Sequence, residues 1–200
     1  MQLLIATHNR GKLIEYQEML ADLPFELVTL DDVGIRDDIE ENGATFAENA
    51  RAKALEYARR SGLLTLADDS GLEVDALGGE PGVHSKRYAG ENKNDPDRIA
   101  FLLDKLRGVP RDQRAARFRC ALAIATPRGE LYECAGTCEG LIEFTPRGTN
   151  GFGYDPVFLF PERGLTMAEL SAEEKNRISH RARATIAARK ILQELVANKT

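Results

Sequence analysis

Hydrophobic and polar positions along this chain switch between a period of two and a period of about 3.6, and the switches lay out a strand-helix order. Gln2 to Ala6 is an apolar run that predicts a buried strand. Thr7-His8-Asn9-Arg10-Gly11-Lys12 then forms a polar turn before a helix with Leu13, Tyr16, Leu20 and Leu23 on one face. Phe25 to Leu30 alternates as a second strand, and Asp31 to Gly43 is acidic and turn-rich, with Asp37, Asp38, Glu40 and Glu41 clustered. Thr45 and Glu48 fit a capping box that opens a helix running to Arg60, closed by Gly62. Its stripe of Ala47, Ala50, Ala54 and Ala58 is smooth enough to pack close to a sheet. Leu63 to Ala67 predicts the next buried strand, and it ends on two adjacent carboxylates, Asp68 and Asp69, followed by Ser70-Gly71.

Leu77 to Val83 is turn material, and Asn94, Asp95 and Pro96 mark the start of a helix from Asp95 to Leu106. Arg117 to Ala125 and Glu130 to Glu139 read as strands joined by the hairpin Thr126 to Gly129. The Gly-rich stretch Thr145 to Tyr154 leads into a short strand, Asp155 to Phe160. Ser179 caps a last helix with Ala184, Ala187, Ala188, Ile191, Leu192 and Leu195 turned inward. No repeat or low-complexity segment interrupts this order. The pattern predicts one α/β domain over residues 1–200 with a mixed sheet, and that length suffices for a substantial core.

Composition narrows the function classes. The chain is 42% hydrophobic and 30% charged, an ordinary globular balance, and its formal charge of -5 disfavours a partner as anionic as polymeric nucleic acid. Cys120, Cys134 and Cys138 have no zinc spacing and their odd number does not suggest a disulfide framework, so a reducing, cytoplasmic setting is expected. The apolar run at the N-terminus is too short for the core of a signal peptide, and no stretch approaches a membrane span.

The acid pair carries the chemical argument. Desolvating a carboxylate without a partner costs several kcal/mol, so two beside a core strand point to something positive there. A turn capped by Asp and Ser is the bland alternative. Glu40, Asp68 and Asp69 come from separate loops, the usual way to grip a hard cation whose shell water and substrate phosphates complete; magnesium suits them, with manganese as a substitute. Thr7, Asn9 and Lys12 lie between a strand and a helix, where free backbone N–H groups and the helix dipole attract phosphate, and Lys53 lies one turn after Asn49. Phe152 or Tyr154 in Gly151-Phe-Gly-Tyr-Asp155 offers a ring for base stacking, and Lys175, His180 and Arg181 gather donors near the last helix. Ser70 lacks a nucleophile-elbow pattern, and His8, His84 and His180 have no signature beside it, which disfavours covalent catalysis.

Taken together, ATHNRGK (6–12), ENGATFAENARAKA (41–54), LADDSGLEVDALGGEPGVHSKRYAG (66–90), GFGYDPVF (151–158) and EKNRISHRARA (174–184) closely resemble the inosine/xanthosine triphosphate pyrophosphatases over nearly the full length. His8 stands where that family more usually has glycine. The resemblance implies a long, bent mixed sheet flanked by helices, in two lobes around a central cleft, and a homodimer. It implies that Thr7, His8, Asn9, Arg10, Gly11, Lys12 and Lys53 hold the triphosphate, and that Glu40, Asp69 and Asp68 hold magnesium, with Asp69 also the proton acceptor. Ser70, Phe152, Gly153, Tyr154, Asp155, Lys175, His180 and Arg181 would bind the nucleotide, Phe152 against the base. The implied reaction is hydrolysis of ITP, dITP or XTP at the α–β bond. Donors facing the purine 6-oxygen would meet an amine in adenine and reject it. A pyrophosphatase for other modified nucleotides and a nucleotide-sensing regulator without turnover are the alternatives. The loop 78–90 is left open as lid, dimer contact or plain structure.

Overall fold

The computed structural model describes residues 1–197. Seven strands make one mixed sheet in the order β2-β1-β3-β4-β5-β6-β7, comprising β1 (Gln2–Ile5), β2 (Glu26–Thr29), β3 (Leu64–Val74), β4 (Ala115–Ala125), β5 (Leu131–Ile142), β6 (Phe158–Phe160) and β7 (Leu165–Thr166). The flanking helices are α1 (Arg10–Met19), α2 (Phe46–Ser61), α3 (Asp95–Lys105), α4 (Ala172–Ile178) and α5 (His180–Ala197), so the α/β expectation holds. β1 runs parallel to β2 and β3, whereas β6 is antiparallel to β5 and β7. The chain forms two compact units, one of residues 1–69, 120–136 and the segment from Arg181 onward, the other of residues 70–119 and 137–180.

In the first unit, period-two alternation sorts the strands' side chains onto two faces. Leu3, Ile5, Leu64, Leu66, Cys120, Leu122 and Ile124 pack with Tyr16 and Leu20 of α1 and with Ala184, Ala188 and Leu192 of α5. Leu4, Ala6, Ala67, Ala123 and Ala125 pack on the other face with Ala50, Ala54 and Ala58 of α2. The alanine stripe brings α2 close, as expected, but Ala47 is exposed, and so is Ala187 on α5. Thr45 and Glu48 form the expected capping box, and Gly62 ends α2 at φ 70°, where a side chain would be strained. The second unit has its own core of Leu72, Val74, Leu102, Phe118, Phe158 and Met167, among others.

The main departure from expectation is β3. It does not stop at Ala67 but runs on to Val74, 11 residues in all, because Leu72 and Val74 resume the apolar pattern in the second unit's core. Asp68 and Asp69 therefore lie inside a strand, not on a turn, and adjacent strand residues face opposite sides of a sheet. Asp155–Val157 forms a 3-10 turn rather than the start of a strand, and β7 and α4 were not expected. The Ser171–Glu174 capping box is the sequence signal for α4.

Asp68 follows Leu64 and Leu66 onto the face covered by α1 and α5, where it is 2% exposed. Its carboxylate accepts from Lys12 Nζ at 3.0 Å, Arg181 at 3.3 Å and the Cys120 thiol at 3.7 Å. Burial pushes its carboxyl up, but Lys12, Arg181 and Lys53 pull harder and hold it well below the usual carboxylate range. Arg181, 1% exposed, also binds Glu15 at 2.6 Å, so the charges interlock. Burial pushes the Cys120 thiol up to about 12, so it sits in this cluster as a neutral donor.

Two tests follow from the buried charges. Removing one partner of such a pair strands the other, so Arg181→Met is expected to lower unfolding free energy by about 3–5 kcal/mol in urea titrations; a loss below about 1 kcal/mol would contradict the cluster's role. The Asp68 carboxyl titrates lower in the folded protein than in the unfolded chain, so its stabilisation is complete above the unfolded value, about 4, and drains away below it. Wild type should therefore lose stability more steeply than Asp68→Asn as pH falls below about 4; parallel curves would count against this.

Candidate active site

Asp69 takes the opposite face of β3 from Asp68, the side covered by α2, and is 6% exposed. Asn49 Nδ2 donates to Asp69 Oδ2 at 2.8 Å, and Asn49 Oδ1 accepts from the Gly43 backbone N–H at 2.8 Å. One turn later on α2, Lys53 Nζ donates to Glu41 Oε1 at 2.5 Å and to the Asp68 carbonyl at 2.7 Å. Burial pushes the Asp69 carboxyl up, Lys53 opposes this, Glu41 adds to it, and the net direction is upward. Burial pulls the Lys53 ammonium down, but Glu41, Asp69 and Asp68 outweigh it and leave it raised. The two acids thus differ in kind: Asp68 is neutralised by cations, while Asp69 holds a charge that its surroundings disfavour.

The two acids that the sequence reading set on one cation thus lie on opposite faces of β3. Asp68 is spent on Lys12 and Arg181 across the sheet. Glu40 is exposed and accepts from Asn42 Nδ2 at 2.8 Å, while its neighbour Glu41 is the acid that reaches Lys53. Among the described residues no three His, Cys, Asp or Glu side chains gather in a way that would hold a metal. Magnesium is bound through one or two carboxylates, with water and phosphate oxygens for the rest, and a buried carboxylate of disfavoured charge fits that pattern.

The β1–α1 turn uses its own side chains. Asn9 is the N-cap of α1, its Oδ1 accepting from Lys12 N at 3.1 Å, and Thr7 Oγ1 accepts from Asn9 N at 3.1 Å. The amides of Arg10 and Gly11 open the helix, where N–H groups have no acceptor one turn back. His8 needs no glycine-like backbone: Asn92 is the one non-glycine residue with positive φ among the described residues. Its ring lies 3.8 Å from Asp38.

The second unit builds a different cluster. Asp155, 3% exposed, accepts from Phe152 N at 2.9 Å and pairs with Lys175, whose Nζ also lies 4.6 Å from the Phe152 ring centroid. Gly151 is required twice over: its φ is 74°, and a Cβ there would stand 2.0 Å from Asp155 Oδ2. Asp95 accepts from Gly153 N at 2.7 Å and pairs with Arg98, fixing the loop to the start of α3. Tyr154 is core, donating to the Ser85 carbonyl at 2.9 Å, whereas Phe152 is half-buried. Ser85 Oγ in turn accepts from Leu72 N at 2.9 Å and donates to Gly82 O at 2.6 Å, so the middle of the loop 78–90 is anchored to β3. His180 stacks on Phe118 at 4.7 Å, and Ser70 is half-buried within β3. Asn49, Gly43 and Glu41 join Asp69 and Lys53 in this cluster, although motif reading gave none of the three a role.

Comparison with known proteins supplies the context. The model of the Ham1 family matches residues 3–191. A dITP/XTP pyrophosphatase of Geobacillus kaustophilus is 53% identical over 198 residues, covering 99% of this chain and 97% of that protein. The dITP/XTP pyrophosphatase of Bacillus subtilis is 48% identical over 190 residues, covering 95% and 96%. Among solved structures, a HAM1 protein from Coxiella burnetii superimposes with a TM-score of 0.88 at 43% identity, covering 97% of this chain and 99% of that one. The Staphylococcus aureus Ham1 protein gives 0.84 at 40% identity, with full coverage of both. Because the match runs unbroken through the Thr7–Lys12 turn, the acid pair and the glycine-rich loop, this chain belongs to the Ham1 family.

Proposed function

We propose that this protein hydrolyses purine nucleoside triphosphates carrying hypoxanthine or xanthine, ITP, dITP and XTP, to the monophosphate and pyrophosphate. The observation that carries the reading is the division of the acid pair, which leaves Asp69 buried, of disfavoured charge, and held by Asn49 beside Lys53. A phosphate-binding protein without turnover gains nothing from negative charge at that place. The names of the relatives, dITP/XTP pyrophosphatases, support the substrate class.

In this mechanism a water attacks the α-phosphorus in line, Asp69 takes its proton, and pyrophosphate leaves. Phosphoryl transfer asks chiefly for positioning and charge neutralisation. Lys53 supplies positive charge, and the first amides of α1 supply donors for phosphate oxygens. Asp69 and Glu40 would hold magnesium, or manganese in its place, and when bound the ion supplies neutralising charge and a more acidic water. Phe152 offers its ring to the base, and Gly151 and Asp155 set the loop that presents it. His180 and Arg181 keep the role of favouring a purine with an oxygen at position 6; Arg181 is the more deeply buried of the two.

A homodimer belongs to this proposal through the family resemblance. So does a cytoplasmic location, consistent with three free cysteines. No helix among the described residues is long and apolar enough to cross a membrane.

Purified protein with magnesium should release pyrophosphate from ITP and XTP far faster than from ATP, and chelation should stop it; release of single phosphates, or none, would overturn the reading. Asp69→Asn should fold normally and lose at least about 100-fold in kcat, the lower range for general acid-base catalysis. Full pyrophosphate release by that variant would remove Asp69 from the chemistry. Phe152→Ala should raise KM for ITP between about 5-fold and 150-fold, the equivalent of about 1–3 kcal/mol of stacking; an unchanged KM would place the base elsewhere.

A further inference from the structure

Asn49 is a buried polar side chain, 2% exposed, whose two ends are both engaged and aimed at different parts of the first unit. Its amide group donates to Asp69 Oδ2 at 2.8 Å. Its oxygen accepts from the backbone of Gly43, the last residue of the acidic segment that carries Glu40 and Glu41, also at 2.8 Å. The approach at Gly43 is close enough to bar any larger residue, since a Cβ there would lie 2.7 Å from Asn49 Oδ1 and 2.7 Å from Glu48 Cβ. The φ of Gly43 is not positive, so steric room, not backbone freedom, is what the glycine provides. Just after Gly43, Ala44 N also donates to Glu48 of α2 at 2.7 Å, beside the capping box of Thr45 and Glu48.

A primary amide is the side-chain group that can serve both ends at this spacing, one N–H to a carboxylate and one oxygen to a backbone amide. A carboxylate fixed by a donor on one oxygen keeps its other oxygen in a set direction, and placement at that level governs proton transfer. We propose that Asn49 is a positioning residue for the reaction: it sets the orientation of the Asp69 carboxylate and ties it to the seat of the acidic segment. This rests on the proposed hydrolysis at Asp69 and adds to it a residue that touches no substrate. It also assigns Gly43 a purpose, the clearance that lets the bridge form.

Two variants separate the two ends of the bridge. Asn49→Asp keeps the shape and the acceptor for Gly43 N–H but offers Asp69 no donor; Asn49→Ala removes both. Steady-state kinetics with ITP and magnesium should show kcat reduced about 10–100-fold in each, as for supporting residues around a metal or catalytic group, with KM within about threefold of wild type. Amide hydrogen exchange supplies the readout apart from activity: protection at Gly43 should survive in Asn49→Asp and be lost in Asn49→Ala. Should Asn49→Ala fail to fold, Asn49→Asp decides alone. Wild-type kcat in Asn49→Asp, or a change confined to KM, would overturn the positioning role while leaving the pyrophosphatase reading intact. A wild-type protein that releases no pyrophosphate from ITP would overturn both.

Discussion

The pleat of one strand organises the chemistry of this protein. β3 passes straight through two consecutive aspartates, and alternation sends Asp68 to the α1 and α5 face and Asp69 to the α2 face. Each acid then meets a different environment. Asp68 enters an apolar layer, where an unpaired charge costs several kcal/mol, and it is tolerated because Lys12 and Arg181 reach it from two helices. Asp69 meets Asn49 and the rim of Lys53 and Glu41, and its charge is not cancelled in the same way. Neighbours in sequence thus sit in unlike surroundings.

That division explains why so much basic character near the turn and the last helix is internal. Lys12 and Arg181 look from the sequence like donors offered to a ligand, and in the structure both also reach Asp68, with Arg181 joining Glu15 as well. Buried arginine is suited to this because it stays charged and its planar fork serves two carboxylates at once. The cation on the α2 side is Lys53, and there too an acid from the preceding segment is already in place. In the second unit the same logic recurs on a smaller scale, with Asp155 neutralised by Lys175 while it holds the Phe152 backbone.

Much of the fold was legible. Apolar periodicity located β1, α1, β2, α2 and α3, and capping residues placed the starts of α2, α3 and α5 to within a residue, whereas α1 begins at Arg10, inside the stretch read as a turn. The full length of β3 was not, because Asp-Asp-Ser-Gly has the composition of a turn, and only the partners on both faces make it a strand. Asp69, Lys53 and Phe152 stand out as candidates from motifs, since residue type and spacing draw attention to them. Asn49 and Gly43 do not, because a buried amide and a steric clearance acquire meaning only once a strand, a helix and a loop are brought together.

The central claim is that the two adjacent acids differ in kind, and carboxyl 13C chemical shifts followed through a pH titration of the folded protein report on each directly. Asp68 should titrate well below the ordinary carboxylate range, and Asp69 higher than a free aspartate. Two carboxyls titrating together near the ordinary value would contradict it.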